Sequence, residues 1–224
     1  MKIICMIPAR IGSTRVKKKN LRFLGDRPLV CHALKTCVDS KLFDAVYVNS
    51  ESDILKEIAE EYGANFYKRP EEFSESHVTN DLFMEDFLIK HECDYVIQVN
   101  PTSPFITEED IAGVSQLLVE KQFETVQSVK VERIEALYKE SALNYDPKGI
   151  MPESQNLEPI WLYSSGIMGF KKDRYLKNMK ALGSATYGGN GSIGYHVMKG
   201  FSTVDIDYEE DFQFAEKLLK IRNN

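Results

Sequence analysis

The sequence predicts an α/β fold, a mostly parallel sheet with helices on both faces. Three observations carry this. From residue 3 to about 131, short β-branched or apolar runs alternate with stretches of helical periodicity, the rhythm of strands joined by helical crossovers. The first run, Ile3-Ile4-Cys5-Met6-Ile7, is apolar at every position, as a strand covered on both sides requires. The chain closes on an amphipathic helix, Glu209 to Arg222, suited to packing against such a sheet.

The elements follow in order. After the first strand comes a basic loop, then a helix from Pro28 to Val38 with Pro28 in its first turn, where a missing N–H costs nothing. Ala45 to Asn49 is a second strand. Ser52 and Asp53 open a helix, Ile54 to Tyr62, that Gly63 ends. Asn65 to Tyr67 is a short third strand, and Lys68 to His77 is charged and irregular. Thr79 and Asn80 cap a helix from Asp81 to about Lys90. Tyr95 to Val99 is a strong strand running into Asn100-Pro101-Thr102-Ser103-Pro104, whose two prolines forbid helix and stiffen the loop. An acidic helix start at Thr107 leads to about Lys121, and Thr125 to Val129 is another strand. Residues 132–165 hold Pro147, Pro152 and Pro159 and no clear helix, so they read as an extended arm. The rhythm returns with strand-like Gly166 to Phe170, a helical turn near Arg174-Tyr175-Leu176, strand-like Gly194 to Met198, and Thr203 to Asp207 before the last helix. With 224 residues there is room for one sizeable core, so residues 1–224 read as a single domain with an inserted arm over about 132–165.

Composition narrows the function classes. The formal net charge is −6, which argues against nucleic acid as main partner. No apolar run approaches the roughly 20 residues needed to span a bilayer. Lys2 with Ile3 to Ala9 imitates a leader only faintly, because the apolar part is short and meets Arg10. Cys5, Cys31, Cys37 and Cys93 sit in apolar segments without C-x-x-C spacing, as free thiols of a cytoplasmic protein do.

Against this acidic background, Arg10 to Arg22 holds six basic residues (Arg10, Arg15, Lys17, Lys18, Lys19, Arg22) and no acidic one. Ligands of open α/β sheets sit beyond the carboxyl ends of the strands, which is where this loop lies. It reads as an anion site, with Gly12 admitting close approach and Ser13, Thr14 and Asn20 as neutral donors, or else as a solvated basic loop. It is neither a Walker A loop nor a dinucleotide fingerprint, since Gly12 stands alone. A G-x-G-x-x-G at Gly189, Gly191 and Gly194 has no strand before it and no helix after it, and reads as a glycine-rich loop. Asp205 and Asp207, at i and i+2 on a strand, point the same way, roughly 7 Å apart by the strand rise. They suit a divalent cation, while Asp207 and Glu210 also form the D-x-x-E pattern of a helix cap. The four histidines show no ligand or triad spacing, and His32 and His196 read as packing residues.

Four stretches in order, Ile7-Pro8-Ala9-Arg10-Ile11-Gly12-Ser13-Thr14-Arg15 through Lys19-Asn20, Lys68-Arg69-Pro70, Asn100-Pro101-Thr102-Ser103-Pro104, and Asp205-Ile206-Asp207 before a helix, resemble the CMP-N-acetylneuraminate (acylneuraminate) cytidylyltransferases, with the CMP-Kdo synthetases as cousins. The resemblance implies a nucleotide-diphospho-sugar transferase fold of the glycosyltransferase-A-like kind. It implies transfer of CMP from CTP to the anomeric hydroxyl of a 2-keto sugar acid, with release of pyrophosphate. By that likeness Arg10, Lys19 and Asp207 are catalytic. Ala9, Arg10, Ser13, Lys19, Asn20 and Arg69 bind the nucleotide. Asn100, Thr102, Ser103, Gln155 and Ser165 meet the sugar, and Asp205 and Asp207 hold Mg²⁺. Asp207, or a metal-bound hydroxide, takes the sugar proton. A homodimer is also implied, in which the arm reaches the partner's sugar site with Trp161 and Tyr163 as interface anchors.

The residue types suit the chemistry, because phosphoryl transfer rests on positioning and charge neutralisation rather than on a covalent nucleophile. Departures from the family pattern cluster at Asn100 (usually Gln), Phe105-Ile106 (usually Leu-Arg), Ser74 to His77, and Ser165 (usually Asn), where base and sugar are read. They point to a less usual acid, such as a pseudaminic, legionaminic or amino-sugar acid. A sugar-1-phosphate nucleotidyltransferase using UTP or dTTP, and a non-catalytic nucleotide-binding protein of the same fold, are the competing readings.

Overall fold

The computed structural model describes residues 1–13, 15–75 and 77–222. Thr14, and Ser76 within the Ser74 to His77 departure, lie outside the described residues. Seven strands make one sheet: β1 (Ile3–Pro8), β2 (Ala45–Ser50), β3 (Asn65–Lys68), β4 (Tyr95–Val99), β5 (Thr125–Glu132), β6 (Ile160–Lys171) and β7 (Ile193–Val197), in the spatial order β7-β5-β6-β4-β1-β2-β3. All neighbours run parallel except β6, which is antiparallel to both β4 and β5. The sheet is therefore mixed but mostly parallel, as its sequence rhythm requires.

Helices cover both faces. On one side α1 (Leu29–Asp39), α2 (Asp53–Glu61) and α4 (Glu108–Val119) pack on Ile3, Cys5 and Ile7. On the other, α3 (Asn80–Lys90) and α5 (Lys172–Leu182) pack on Ile4 and Met6. Successive residues of β1 thus enter opposite cores, which is why the strand is apolar throughout. A third cluster joins α6 (Glu209–Arg222) to Val16, Leu29, Phe105 and Ile206, so the closing helix seals the side where the basic loop begins.

Three expectations are corrected. Pro28 precedes α1 rather than sitting in its first turn. The turn near Arg174 is the full eleven-residue α5. Residues 160–165 are not loop but the first half of β6, paired with β5 through Tyr163↔Val129, with a register shift before Met168. The rest of the arm carries a two-stranded hairpin, Leu137–Tyr138 with Ser141–Ala142, turned by Lys139 and Glu140 at φ of 47° and 64°, and a single 3₁₀ turn at Ser154–Asn156. Its tip is bare: Ile150 is 97% exposed. All four cysteines are free. Among the described residues no helix is long and apolar enough to cross a membrane. The glycine-rich loop is preceded by α5 and followed by β7, the reverse of a dinucleotide-binding arrangement.

One buried carboxylate fixes the approach to the carboxylate pair. Asp110 closes a capping box with Thr107 at the start of α4, accepts from Ser202 Oγ at 2.7 Å and lies 3.1 Å from His196 Nε2. Burial alone would raise its pKa, but the hydrogen bonds from His196, Ser202 and Thr107 outweigh that and hold it well below the usual carboxylate range. Asp110→Ala is expected to cost about 2–3 kcal/mol, read from the denaturant midpoint. Because the folded pKa is the lower one, the stabilisation is complete above about pH 4 and is lost as the solution is acidified further. The difference between wild type and variant should shrink in acid accordingly.

Candidate active site

The loop after β1 is stitched in place by residues far along the chain. The Ala9 N–H donates to the Asn49 carbonyl at 3.0 Å, and the Ile11 N–H to Glu51 Oε1 at 2.8 Å. Asn20 Nδ2 donates to the Arg10 carbonyl at 2.9 Å, closing the loop on itself. Lys18 adopts a left-handed turn at φ 50°, and Lys19–Leu21 follow as a 3₁₀ turn that aims Lys19 inward. Gly12 has no left-handed φ, and among the described residues no atom beyond its chain neighbours lies within 4 Å of where a Cβ would sit. The fold leaves that space open.

The opposite wall is the segment before α6. It runs extended rather than as a sheet strand: the Ile206 N–H donates to the Thr102 carbonyl at 2.8 Å, and Ile206 is fully buried. The flanking carboxylates alternate away from that core, as the i, i+2 spacing demands. Asp207 does not cap α6 with Glu210. Asp211 Oδ2 does the capping, accepting from the Asp207 and Tyr208 N–H groups at 3.0 and 2.7 Å. The Asp207 carboxylate is thereby left for the site.

Loop and segment meet in a pocket of about 230 Å³, lined by Arg10, Ser13, Arg15, Lys19, Asn20, Asn100, Thr102 and Asp207, with Pro8, Val16 and Pro101. Lys19 is the strut between the walls. Its Nζ donates to the Ile206 carbonyl at 2.5 Å and lies 3.6 Å from Asp207 Oδ1. Burial lowers its pKa, partly offset by Asp207 and Asp205. Asp205 takes long contacts from Ser103 Oγ at 3.5 Å and Ser165 Oγ at 3.3 Å. Asn100 Nδ2 donates to the Ser165 carbonyl at 2.5 Å, and its Oδ1 accepts from Gln98 at 2.8 Å.

Among the described residues, no three His, Cys, Asp or Glu side chains converge as a metal cage. Asp207 lines the pocket and Asp205 sits two residues before it against two hydroxyls. That set suits a hard cation such as Mg²⁺ shared with phosphate oxygens, which is how Mg²⁺ is usually held.

Several expected residues lie elsewhere. Arg69 is buried behind the pocket: its hydrogen bonds go to Asn49 Oδ1, the Asn49 carbonyl and the Phe73 carbonyl. It stacks 4.5 Å over Phe83, and burial holds its pKa down to about 10. Ala9 is buried too and acts through the backbone. Gln155 is exposed on the arm and bonds to Glu153. Ile106 packs in the main core, so that departure from the family pattern does not face the pocket. Arg15 was given no role by the sequence, yet it lines the pocket and pairs with Asp207. That partner lies 192 positions further along the chain, which no local pattern reveals.

A sequence profile of one protein family, described as cytidylyltransferase, matches residues 4–149. The chain belongs to the cytidylyltransferase family. It is 28% identical over 221 residues to the N-acylneuraminate cytidylyltransferase of Streptococcus agalactiae, covering 95% of this chain and 52% of that protein. The chain thus spans about half the length of that curated relative. It is 26% identical over 238 residues to the CMP-N,N'-diacetyllegionaminic acid synthase of Campylobacter jejuni, covering 99% of this chain and 96% of that one. The solved CMP:2-keto-3-deoxy-manno-octonic acid synthetase complexed with CTP superposes with a TM-score of 0.75 over 99% of this chain and 100% of its own, at 15% identity. This last likeness shows the fold alone, an α/β nucleotidyltransferase fold with a mixed sheet.

Proposed function

We propose that the chain transfers CMP from CTP to the anomeric hydroxyl of a sialic-acid-like 2-keto sugar acid. The hydroxyl oxygen bonds to the α-phosphorus, the bond from that phosphorus to the bridging oxygen breaks, and pyrophosphate leaves. The observation that carries this reading is that Arg10, Ser13 and Lys19 of the basic loop share one pocket with Asp207. Cations and a hydroxyl donor neutralise and orient the triphosphate, which is the main catalytic task in phosphoryl transfer. Asp205 and Asp207 would hold Mg²⁺, which supplies charge neutralisation on the phosphates. Asp207 lines the pocket and takes the proton of the sugar hydroxyl.

The nucleoside belongs on the β1–β2 side. There Asn20 Oδ1, Asn49 Nδ2 and Ser74 Oγ are buried without a hydrogen-bond partner among the described residues. Arg10 reaches that side through the Ser74 carbonyl at 3.3 Å. Buried polar atoms left unpaired are costly, and of the three residues Asn20 lines the pocket, so it is the one a base or ribose would pair. Arg69 then acts by fixing Asn49 rather than by touching the ligand. Asn100, Thr102, Ser103 and Ser165 border the sugar. The arm, with exposed Trp161 and Tyr163 beside it, is the dimer contact in this reading, and residues 1–224 work as one domain.

The test is pyrophosphate release from CTP, UTP and dTTP with a panel of 2-keto sugar acids and sugar 1-phosphates, products read by mass. CMP-sugar formed only from CTP and a keto acid supports the reading. Turnover of UTP or dTTP with a sugar phosphate, or CTP binding without turnover, overturns it. Gly12→Ala is expected to leave the unfolding free energy within about 0.5 kcal/mol, since its Cβ meets no atom of the described residues beyond its chain neighbours. The same methyl group should weaken CTP binding about tenfold, which titration calorimetry would read.

A further inference from the structure

Arg15 has no part in the chemistry proposed above, yet it spans the pocket. Its Nη2 lies 3.0 Å from Asp207 Oδ1, the same oxygen that Lys19 Nζ approaches to 3.6 Å. One carboxylate therefore faces two cations, whereas Asp205 faces the hydroxyls of Ser103 and Ser165. The two cations differ in freedom. The Lys19 side chain is 11% exposed and tied to the Ile206 carbonyl. The Arg15 side chain is 54% exposed and rests over Tyr208, its guanidinium 5.2 Å from the ring centre. Arg15 is the partner that can swing away.

We propose that Arg15 is a latch on Asp207 that keeps a divalent cation off the carboxylate pair until a triphosphate enters. The proposal rests on the reading of Asp205 and Asp207 as the cation's ligands. With Arg15 in place, a divalent ion at Asp207 meets two positive charges within a few ångströms and only partly free acceptors. An entering triphosphate changes both conditions. Its oxygens offer the guanidinium a better, two-pronged acceptor, Asp207 is released, and phosphate oxygens complete the ion's shell. Metal and nucleotide then bind as one coupled event, each raising the affinity for the other by the same factor. An arginine that only gripped phosphate would lower nucleotide affinity when removed and leave metal affinity of the free protein unchanged. A latch makes the opposite prediction for the metal.

The probe is Mn²⁺ alone, with free ion counted by electron paramagnetic resonance, in the absence of nucleotide and sugar. Arg15→Gln is expected to bind Mn²⁺ at least tenfold more tightly than wild type, and adding Asp207→Asn to it should erase the gain. Arg15→Met, which keeps the stem, is the second variant, with the thermal melt confirming the fold of each. Affinity within twofold of wild type in both variants, including undetectable binding throughout, overturns the latch. So does tight nucleotide-free binding by the wild type. Because no turnover is read, a failed cytidylyltransferase assay leaves this result standing or falling by itself.

Discussion

Asp207→Asn is expected to lower kcat about 10³-fold, the scale on which removing a group that meets the reacting charge acts. The fold should be unaffected. Asparagine keeps the shape and one acceptor oxygen, and the start of α6 is capped by Asp211. The control is therefore Asp211→Ala, which should cost about 1 kcal/mol of stability as a lost helix cap and leave kcat within a few-fold. Pyrophosphate release and denaturant midpoints on both variants separate the roles. If Asp211→Ala loses as much kcat as Asp207→Asn, the assignment of Asp207 fails, since both changes would then act by disordering the same segment. Rates should fall more than nucleotide affinity does, because in the proposed binding mode Arg10, Ser13 and Lys19 still hold the phosphates.

Much of the fold was legible because the elements that bury both faces declare it. β1 has no polar position to mislead, and the acidic start at Thr107 marks the beginning of α4. The sequence of α5 signals only a single turn because its inward face is not apolar throughout. Asn178 is buried between Tyr175 and Met179, donating to the Gly188 carbonyl at 2.8 Å. A polar residue spent on holding a neighbouring loop breaks the periodic signal. The sequence of β6 signals only half its length for a different reason. Its first half lies beyond the covered part of the sheet, with Trp161 and Tyr163 exposed, and the register shift before Met168 interrupts strand alternation.

The site was legible where chemistry is concentrated locally and illegible where it depends on closure. The basic loop and the two aspartates declare themselves by type and spacing. The capping pattern misled by one residue: the helix begins at Glu209, so the third helical position is Asp211 and not Glu210. Arg69 matched the family motif but not the pocket, because a guanidinium can serve a loop's backbone as well as a ligand. Asn100 stands where the family has Gln, and its amide is already taken up by Gln98 and the Ser165 carbonyl. Asn100 therefore shapes the end of β4 and offers the pocket no free amide. None of these distinctions exists before the chain folds.

Lys19→Met is the second large effect expected, a fall in kcat/KM for CTP of roughly 10²–10³. Lys19 is only 9% exposed, so methionine, similar in length, refills the channel without a void. Its stability cost is the difference of two opposed contributions. The Ile206 carbonyl loses its charged donor, worth about 1–3 kcal/mol, while the fold no longer buries an ammonium, which is itself unfavourable. The net change should stay within about 1 kcal/mol, so the activity loss cannot be ascribed to unfolding. The pH dependence separates the roles further. Burial sets the folded pKa of Lys19 below that of an ordinary lysine, near 10.4 for about every exposed one. Since kcat/KM reports the free enzyme, its alkaline limb should fall at lower pH than an ordinary lysine allows, and be absent in Lys19→Met. Stability moves the other way. A group whose folded pKa is the lower one opposes folding while protonated, so wild-type stability relative to Lys19→Met should rise as pH climbs from the folded pKa toward the unfolded one. A limb at the ordinary lysine pKa with no such rise would mean that the ammonium is solvated, and that the strut between loop and carboxylate segment is held by other contacts.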